Sequence, residues 1–457
     1  MKKKKLTKDS LEIKFPKSAG IDVGATLMQV CIPSSLDKDN NRAFGTNTRD
    51  LNDLAEWLMK KGITHVAMEA TGVYWMPLFN ILSMKGMHVV LLNAAEAKNY
   101  TARKTDVNDA EWLMILMRYG LVKPSFQIDE EYRGLRNFVR HRSTLVSLRS
   151  DCIRRIQKCM EQMNIKLTET ISSIAGASGI RIIEAILGGE RDPWTLASMA
   201  DKCSKSQSEI AGSLEGNWNE ELLFIMGQVY GQYKYLRQQI LALESQIESV
   251  MKKLCEKVIK ANDGVVVDVI RSKKKKAAKN RSNRIDFDVE GLSTQIFGVN
   301  LMRIEGVNAV TVLSLMGELG GDFVRSFKDA AHFCSWCNLS PTDKISGGKI
   351  LSSHIKKRKN NVGLILRQCA QTISKTKSPL GDYYRRMRAK GGGKYAVCCL
   401  AHKLAKIIYT MVKTKTEYDA SKVSITDKEW LERKIRHQQK LLLTLKGQLE
   451  QCSLSAS

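Results

Sequence analysis

The feature that most constrains the fold is an apolar repeat between residues 222 and 254 whose members are spaced alternately four and three positions apart. This spacing places every member on one side of a helix, and it predicts a long helix whose apolar seam needs a partner, as in a coiled coil. A similar apolar face precedes it. The two helices pack either as an antiparallel pair within the chain or between subunits, and the sequence leaves both arrangements open. The two sets are Leu222, Met226, Val229, Tyr233, Leu236, Ile240, Leu243, Ile247, Val250 and Leu254, and Leu145, Leu148, Cys152, Ile156, Cys159 and Met163.

The chain before these helices has a different pattern. The stretch "SAGIDVGATLMQVCIP" alternates on either side of Gly24 and predicts a β-hairpin. Two more short strands are predicted in "ITHVAMEATG" and "GMHVVLLN", separated by the helical "WMPLFNILSMKG". Strands that alternate with helices over about the first 125 residues predict an α/β domain with a mixed sheet. The predicted fold class is therefore α/β plus α.

The charge of the chain favours a polyanionic partner. Its 457 residues suffice for two or three domains, and 73 Lys and Arg against 47 Asp and Glu give +26 at pH 7. Nucleic acid is the first candidate for the partner of such a chain. Residues 271–284 hold eight basic residues and no acid, which predicts a disordered linker that contacts nucleic acid rather than a nuclear-localisation signal. Residues 344–415 hold 18 basic residues and one acid, Asp382.

Membrane and cysteine–metal classes are disfavoured. No apolar run reaches the roughly 20 residues of a membrane span, so we expect a soluble, cytoplasmic protein with no membrane partner. Eleven irregularly spaced cysteines fit a reducing compartment. Cys334 and Cys337 form a CxxC near His332 and His354, but a zinc site would need a second closely spaced pair. The surrounding "DAAHFCSWCNL" predicts a helix with both cysteines at packing positions.

Four acids predict a metal site. Asp22 and Glu69 stand at the ends of predicted strands, and Asp106 and Asp109 lie three positions apart in the helix-prone "RKTDVNDAEW". Like charges this close are costly unless cations bind between them, and oxygen-only ligands favour Mg²⁺ or Mn²⁺. Taken singly, each acid has a simpler interpretation. Glu69 could be an ordinary surface residue, since acids are mostly exposed, and Asp106 and Asp109 could be first-turn acids that stabilise a helix dipole. The coincidence of two strand-end acids with a helical pair favours the metal site.

Two other families share part of this pattern. "GIDVGAT" also fits the first phosphate loop of the actin and sugar-kinase ATPases, but a second glycine-rich phosphate loop is missing from the sequence. Exonucleases with four acidic ligands usually begin with Asp-x-Glu, whereas Val23 and Gly24 follow Asp22 here. Both alternatives are therefore disfavoured.

A second candidate site lies in the basic stretch "SPTDKISGGKILSSHIKKRKNN". Its glycines allow the backbone to approach a phosphate, and its lysines neutralise one. Ser346 is either a nucleophile or part of a phosphate-binding turn without covalent chemistry, and the residues alone favour the second interpretation. Upstream, "IEGVNAVTVLSLMGELG" is similar to a helix-hairpin-helix that binds a DNA phosphate, with Asn308 where a second glycine is usual. The predicted nucleic-acid contacts are Lys344, Gly347, Gly348, Lys349, Lys356, Lys357, Arg358, Gly306 and Asn308.

Five motifs in this order, "GIDVGAT", "AMEATGVYW", "RKTDVNDAEWL", "IEGVNAVTV" and "SGGK", resemble the insertion-sequence transposases of family one-ten, including its eleven-eleven branch. The resemblance covers residues 18 to 415. It implies a RuvC-like (ribonuclease H-like) domain, a helical coiled-coil region and a mainly helical transposase domain with a helix-hairpin-helix. Its Asp-Glu-Asp-Asp metal site matches Asp22, Glu69, Asp106 and Asp109, and its catalytic loop serine matches Ser346.

The resemblance also implies a mechanism and partners. A bridge noncoding RNA pairs with target and donor DNA, and the serine cleaves a strand to give a covalent phosphoserine with Mg²⁺ at the acids. Strands exchange through a four-way junction in a homodimer that assembles to a tetramer, with the acids of one subunit meeting the serine of another. The implied location is the bacterial or archaeal cytoplasm, in association with the nucleoid.

The predicted division of the chain follows from these patterns. It comprises a basic tail (1–17), the RuvC-like domain (18–130), the coiled-coil region (131–260), a basic linker (261–292), the transposase domain (293–420) and a C-terminal helix (421–457). Two other functions stay open: a metal-dependent RuvC-like junction endonuclease without a covalent intermediate, and a non-catalytic nucleic-acid-binding scaffold.

Overall fold

A computed structural model describes residues 12–70, 72–92, 109–122, 124–201, 203–272, 283–355 and 360–423, with short pieces at 435–436, 438–439 and 442–445. The chain divides into two compact units, Met1–Gln127 and Ile128–Ser457. The predicted six-part division remains a prediction. The predicted C-terminal helix lies almost entirely outside the described residues, as do residues 273–282 of the basic linker.

The first unit is built on a five-stranded mixed sheet. Its strands are β1 (Ser18–Val23), β2 (Met28–Cys31), β3 (Asn41–Phe44), β4 (His65–Glu69) and β5 (His88–Leu92), in the spatial order β3-β2-β1-β4-β5. Strands β1, β2 and β3 pair antiparallel, whereas β4 lies parallel to β1 and β5. The predicted hairpin and mixed sheet are confirmed. Strand β3 was not predicted, because this short edge strand has no buried side chain to mark it.

Helices cover both faces of this sheet. Helices α1 (Thr48–Lys60) and α2 (Trp75–Met84) enclose one core, which includes Ile21 and Met68. Helix α3 (Asp109–Arg118) covers the opposite face, where Ala67 packs with Leu113. Because side chains along a strand alternate between faces, each strand presents one residue set to α1 and α2 and the other set to α3.

Two long helices dominate the second unit. Helix α4 (Glu130–Gln162) leads through the short helices α5 (Leu167–Thr170), α6 (Ala177–Leu187), α7 (Pro193–Ser198) and α8 (Gln207–Leu214) to helix α9 (Glu220–Ala261). Helices α4 and α9 pack antiparallel, since Glu131 binds Lys257 near one end and Arg155 contacts Gln232 towards the other. The structure therefore pairs the two predicted seams within the chain. Leu148 departs from its predicted seam and is 46% exposed.

A second helical cluster follows. It contains α10 (Val289–Phe297), α11 (Ala309–Leu319), α12 (Ala330–Trp336), the strands β6 (Thr342–Ser346) and β7 (Lys349–His354), α13 (Asn361–Ile373) and α14 (Pro379–Thr414). Helix α12 confirms the helix predicted for "DAAHFCSWCNL", and Cys334 and Cys337 are fully buried in its core. His332 is exposed and its imidazole Nδ1 pairs with Asp329 at 2.8 Å.

Helix α14 is interrupted by glycines. Gly391 and Gly392 have non-helical backbone angles, which separate a first arm, 379–390, from a second arm, 393–414. By length and composition, one window of α14 could cross a membrane, but half of that window is buried inside the protein, as in an ordinary core helix. We therefore describe α14 as a core helix.

Candidate acidic site and serine hairpin

The register of the sheet brings two of the predicted acids side by side. Ile21 pairs with Met68 across the parallel strands β1 and β4, so Asp22 and Glu69 are the next residues along each strand. Ile21 and Met68 face the core under α1 and α2. Strand alternation then places Asp22 and Glu69 on the opposite face, which α3 covers, at the carboxyl ends of both strands.

Gly20 positions the third acid. A Cβ atom at Gly20 would lie 2.1 Å from the carbonyl oxygen of Ala110 and 2.2 Å from the backbone nitrogen of Met114, so α3 packs directly on the backbone of β1. Asp109 is the first residue of α3, one residue before Ala110. Because Gly20 has no side chain, α3 can pack closely on β1, and this packing places Asp109 at the start of α3 near Asp22.

The electrostatics of Asp22 agree with this placement. Partial burial raises the pKa of Asp22 above its usual value, and the negative charge of Asp109 raises it further, while the backbone N–H of Val23 opposes the rise. A carboxylate that is destabilised by a second carboxylate is a site that a cation would stabilise. The described acids Asp22, Glu69 and Asp109 offer carboxylate oxygens, which suit Mg²⁺ or Mn²⁺.

The fourth acid and part of the coordination are not described. Asp106 lies in the stretch 101–108, outside the described residues. Within the described part of the chain, no three His, Cys, Asp or Glu side chains are close enough together to hold a metal ion. The structure thus brings Asp22, Glu69 and Asp109 to one edge of the sheet, and the four-acid metal site remains a prediction.

Sequence reasoning missed a polar neighbour of the acids. Gln29 of β2 pairs directly with Asp22 of β1, so the two side chains lie on the same face of the sheet. Its amide Nε2 donates to Asn41 Oδ1 at 2.6 Å. Only the register of the first hairpin identifies this neighbour, because nothing in the local sequence distinguishes Gln29 from an ordinary exposed glutamine.

The second candidate site is a β-hairpin rather than the predicted loop. Strands β6 and β7 pair antiparallel, and Ser346 lies opposite Lys349 at the tip. Between them Gly347 and Gly348 have φ of +55° and +77°, the signs that a type I′ turn requires at both central positions. Ser346, Gly347, Gly348 and Lys349 are all exposed. The hairpin therefore presents a hydroxyl and an ammonium together to solvent.

The chain is anchored where it leaves this hairpin. Asn360 caps α13 by accepting from the backbone N–H of Gly363 at 2.9 Å, and its amide donates to the Trp336 carbonyl at 3.0 Å. The amide of Asn361 donates to Glu318 at 3.0 Å, and both oxygens of Glu318 accept from Arg140 of α4 at 2.8 Å. These bonds tie the start of α13 to α11 and α4. Lys356, Lys357 and Arg358 lie outside the described residues, and nothing is described of the Lys344 side chain.

The predicted hairpin before α11 has a specific geometry. Gly306 has φ of +75°, and a Cβ there would lie 2.5 Å from a side-chain carbon of Ile373. Asn308 has an extended backbone with φ of −124°, and its side chain caps α11 by accepting from the N–H of Thr311 at 2.9 Å. Asn308 therefore starts a helix rather than supplying a left-handed turn. Contact between this turn and DNA remains a prediction.

Two family models match the chain, one over the predicted acids and one over the serine hairpin. Residues 19–165 match a DEDD transposase domain of the IS110 type, and this match contains all four predicted acids. Residues 299–385 match the transposase of the IS116/IS110/IS902 family, and this match contains Ser346. No curated protein matches the chain.

The match of residues 19–165 identifies a transposase of the DEDD class, an enzyme that acts on DNA, and the mixed α/β sheet followed by a mainly helical unit is consistent with it. The two matches come from the same family, lie in the same order as its motifs and together cover just over half of the chain. The chain belongs to the IS110 family of transposases.

Proposed function

We propose that this transposase is an RNA-guided DNA recombinase that cleaves and rejoins strands through Ser346, with divalent cations held by Asp22, Glu69, Asp106 and Asp109. The observation that carries the proposal is the shared edge: strand register and the Gly20 contact bring Asp22, Glu69 and Asp109 to one side of the sheet. The exposed serine at a glycine turn supports a nucleophile that a DNA strand can reach.

The proposed chemistry is a phosphoryl transfer. The Ser346 hydroxyl attacks the phosphorus of a DNA phosphodiester, a serine Oγ–P bond forms, and the bond from phosphorus to the leaving strand breaks. The hydroxyl loses its proton, and the leaving oxygen gains one. In the reverse direction a hydroxyl of the exchanged strand attacks the phosphoserine and releases the serine. The number of phosphoester bonds is conserved, so rejoining needs no ATP.

Each part of the chain has a defined role in this proposal. Lys349 lies opposite Ser346 and neutralises the phosphate, while the two glycines leave room for the DNA backbone. The acids would hold Mg²⁺ or Mn²⁺, which stabilises charge on the attacking and leaving oxygens when bound. Sheet register sets Asp22 beside Glu69, and the packing of α3 sets Asp109 near Asp22. These three acids would move closer together when they bind a cation, because the described side chains are too far apart to hold one as they stand.

The test separates chemistry from binding. We expect Ser346→Ala to abolish the covalent protein–DNA adduct on a denaturing gel while DNA affinity, measured by fluorescence anisotropy, stays within about twofold, because one neutral hydroxyl contributes little to phosphate binding. Ser352→Ala is the matched control, since Ser352 lies on the facing strand of the same hairpin and is also exposed. Adducts at normal yield from Ser346→Ala would exclude this nucleophile.

A second candidate is a metal-dependent junction endonuclease that uses water and forms no covalent intermediate. One observation favours it: the described acids lie together within one unit, Met1–Gln127, which does not contain Ser346. Incubation of the wild-type protein with Mg²⁺ and a four-way junction distinguishes the two. Free cut ends without any trapped protein support the endonuclease.

The guide RNA requires its own experiment. The proposal rests on the family resemblance and on the net charge of +26. We expect RNA co-purified with the chain and then sequenced to contain one short transcript with two internal loops complementary to separate DNA sites. A random sample of cellular RNA would show charge-driven binding alone.

A further inference from the structure

We propose that residues 388–395, the α14 bend, form a clamp for the phosphate backbone of duplex DNA. The bend belongs to the basic stretch noted above, but it is remote in sequence from the serine hairpin. It also follows the second family match, which ends at residue 385. The inference takes DNA as the ligand from the proposed function and otherwise rests on the shape, exposure and charge of the bend.

Backbone geometry gives the bend its shape. Lys403 Nζ lies 4.5 Å from the centroid of the Tyr383 ring, although the intervening chain as a straight helix would separate the two residues by about 30 Å. The second arm therefore folds back along the first. Gly392 makes the reversal with φ of +77° and ψ of −178°, a combination essentially restricted to glycine.

Exposure and charge point to an anionic ligand. Every residue from 388 to 395 is exposed, and the segment contains Arg388, Lys390 and Lys394 but no acid. None of these three cations has an ion-pair partner among the described residues. The nearest acid in sequence, Asp382, is already paired with Arg385. Three cations that share one exposed turn and have no acidic partner in the described part of the chain repel each other, and a polyanion would stabilise them.

The inner side of the bend adds to the positive field. The Arg386 guanidinium and the Lys403 ammonium both contact the ring of Tyr383, at 5.9 and 4.5 Å from its centroid. Burial lowers the pKa of Lys403, and the charge of Arg386 lowers it further. The Tyr383 ring thus brings together one cation from each arm of the bent helix.

A nucleic-acid backbone fits this surface better than a protein partner does. Gly392 and Gly393 carry no side chains and have open space around them, so a phosphate can approach the main chain closely there, whereas the Tyr395 ring covers Gly391. Tyr395 is the only large apolar side chain exposed on the bend, which leaves little area for a protein interface. DNA is the substrate of the family, and the same unit carries the serine hairpin that is proposed to cut it.

The test removes three positive charges from the bend and compares the effect on DNA binding with the effect of removing three positive charges from another helix. The variant Arg388→Gln/Lys390→Gln/Lys394→Gln is matched by Arg237→Gln/Lys253→Gln/Lys260→Gln, one arginine and two lysines of α9 that are also exposed. Binding to fluorescein-labelled duplex DNA of mixed sequence is measured over a range of salt concentrations without divalent ions. Because no strand is cut under these conditions, failure of the serine mechanism leaves this result unaffected.

For the bend variant we expect the slope of log affinity against log salt concentration to become shallower by roughly two to three units, because about three phosphate contacts disappear. We also expect its affinity for DNA to fall at least tenfold. The α9 control should change by less than a third of this. Equal losses in the two variants would show that only net charge matters and would overturn the clamp. An unchanged DNA affinity with weakened binding to an RNA duplex of the same length would also overturn it.

A second variant tests shape without changing charge. Gly392→Ala forces a left-handed backbone on alanine, whereas Gly393→Ala lies in the second arm, where its Cβ would have 3.8 Å to the nearest atom, the Tyr384 hydroxyl. We expect Gly392→Ala alone to weaken DNA binding severalfold, with the helical circular dichroism retained. Equal affinities for the two alanine variants would contradict the proposed geometry.

Discussion

At the scale of single residues, Gly20 shows how an absent side chain organises the acidic edge. Its missing Cβ allows the backbone of α3 to contact β1, and this contact brings Asp109 towards Asp22. The sequence contains 31 glycines, and no local pattern identifies this one as the packing contact. The requirement arises from atoms that are about 90 residues away along the chain, so only the tertiary structure reveals it.

We expect Gly20→Ala to destabilise the first unit by about 3 kcal/mol or to displace α3, because a methyl group cannot share space with backbone atoms. The consequence for the acids is weaker Mg²⁺ binding, since Asp109 moves away from Asp22. Urea unfolding followed by tryptophan fluorescence measures the first effect, and isothermal titration with Mg²⁺ measures the second.

Gly134→Ala is the control for this prediction. Gly134 lies inside α4, and nothing is within 4 Å of its missing Cβ. Alanine there should leave stability unchanged or raise it by up to about 1 kcal/mol, because alanine favours a helix. A Gly20→Ala protein as stable as wild type, with normal Mg²⁺ affinity, would show that α3 does not position the acids.

At the scale of elements, the long helices are held in one alignment by polar contacts. Arg142 of α4 and Glu244 of α9 form an ion pair at 2.6 Å with about 5% of each side chain exposed, and Asn283 accepts a further bond from Arg142. Breaking a buried pair is costlier than shifting apolar contacts, so we infer that this pair specifies the antiparallel register more than it adds stability.

Glu318 connects α11, α4 and the start of α13, and its titration gives a pH prediction. Burial by itself would raise the pKa of Glu318, but the bonds from Arg140 and Asn361 and the charges of Arg140 and Arg136 lower it below its usual value of 4.5. The folded state therefore keeps the carboxylate charged to lower pH than the unfolded state does. The resulting stability is complete above pH 4.5 and is lost as the pH falls through the lowered folded pKa.

We expect Glu318→Gln to reduce the free energy of unfolding at neutral pH by about 2 kcal/mol, because bonds to a charged acceptor become bonds to a neutral one. The difference from wild type should shrink as the pH falls below 4.5. Urea unfolding at several pH values tests this, with the exposed Glu256→Gln of α9 as control. A constant difference across this range would rule out the proposed charge dependence.

At the scale of the whole molecule, acids and serine belong to different compact units of the chain. We propose that the acids of one subunit act with the serine of another, and mixing of inactive variants tests it. Asp22→Asn and Ser346→Ala proteins should each form no adduct alone. Co-expressed and mixed at random in a two-subunit assembly, they should recover roughly a quarter of the sites, because only pairs with both intact parts react.

The mixture distinguishes a site shared between subunits from a site within one subunit. If both parts must come from one subunit, no mixture contains a complete site and adducts stay absent. Two differently tagged copies of the wild-type protein serve as the control for subunit exchange, since capture through one tag recovers the other copy only when subunits mix. Absence of rescue while exchange is demonstrated would exclude sharing between subunits.

The sequence by itself determined the features that repeat locally. Side-chain direction repeats over two residues in a strand and over three or four in a helix, so neighbouring residues reveal the strands, the helices and the seams of α4 and α9. The basic stretches and the motifs of the transposase family are also local features of the sequence. Asp22, Glu69, Asp106, Asp109 and Ser346 were predicted as site residues from motifs at this level. Leu148 shows the limit, since its position in the repeat predicted burial and it is half exposed.

The tertiary structure decided how these pieces meet. Four arrangements depend on contacts between segments that are far apart in sequence. They are the pairing of Ile21 with Met68, the packing of α3 on Gly20, the antiparallel pairing of α4 with α9 inside the chain, and the reversal of α14 at Gly392. Such contacts are selected by packing and register of the whole fold rather than by local periodicity. For this reason the motifs predicted which residues matter, and the sheet register placed Asp22, Glu69 and Asp109 together.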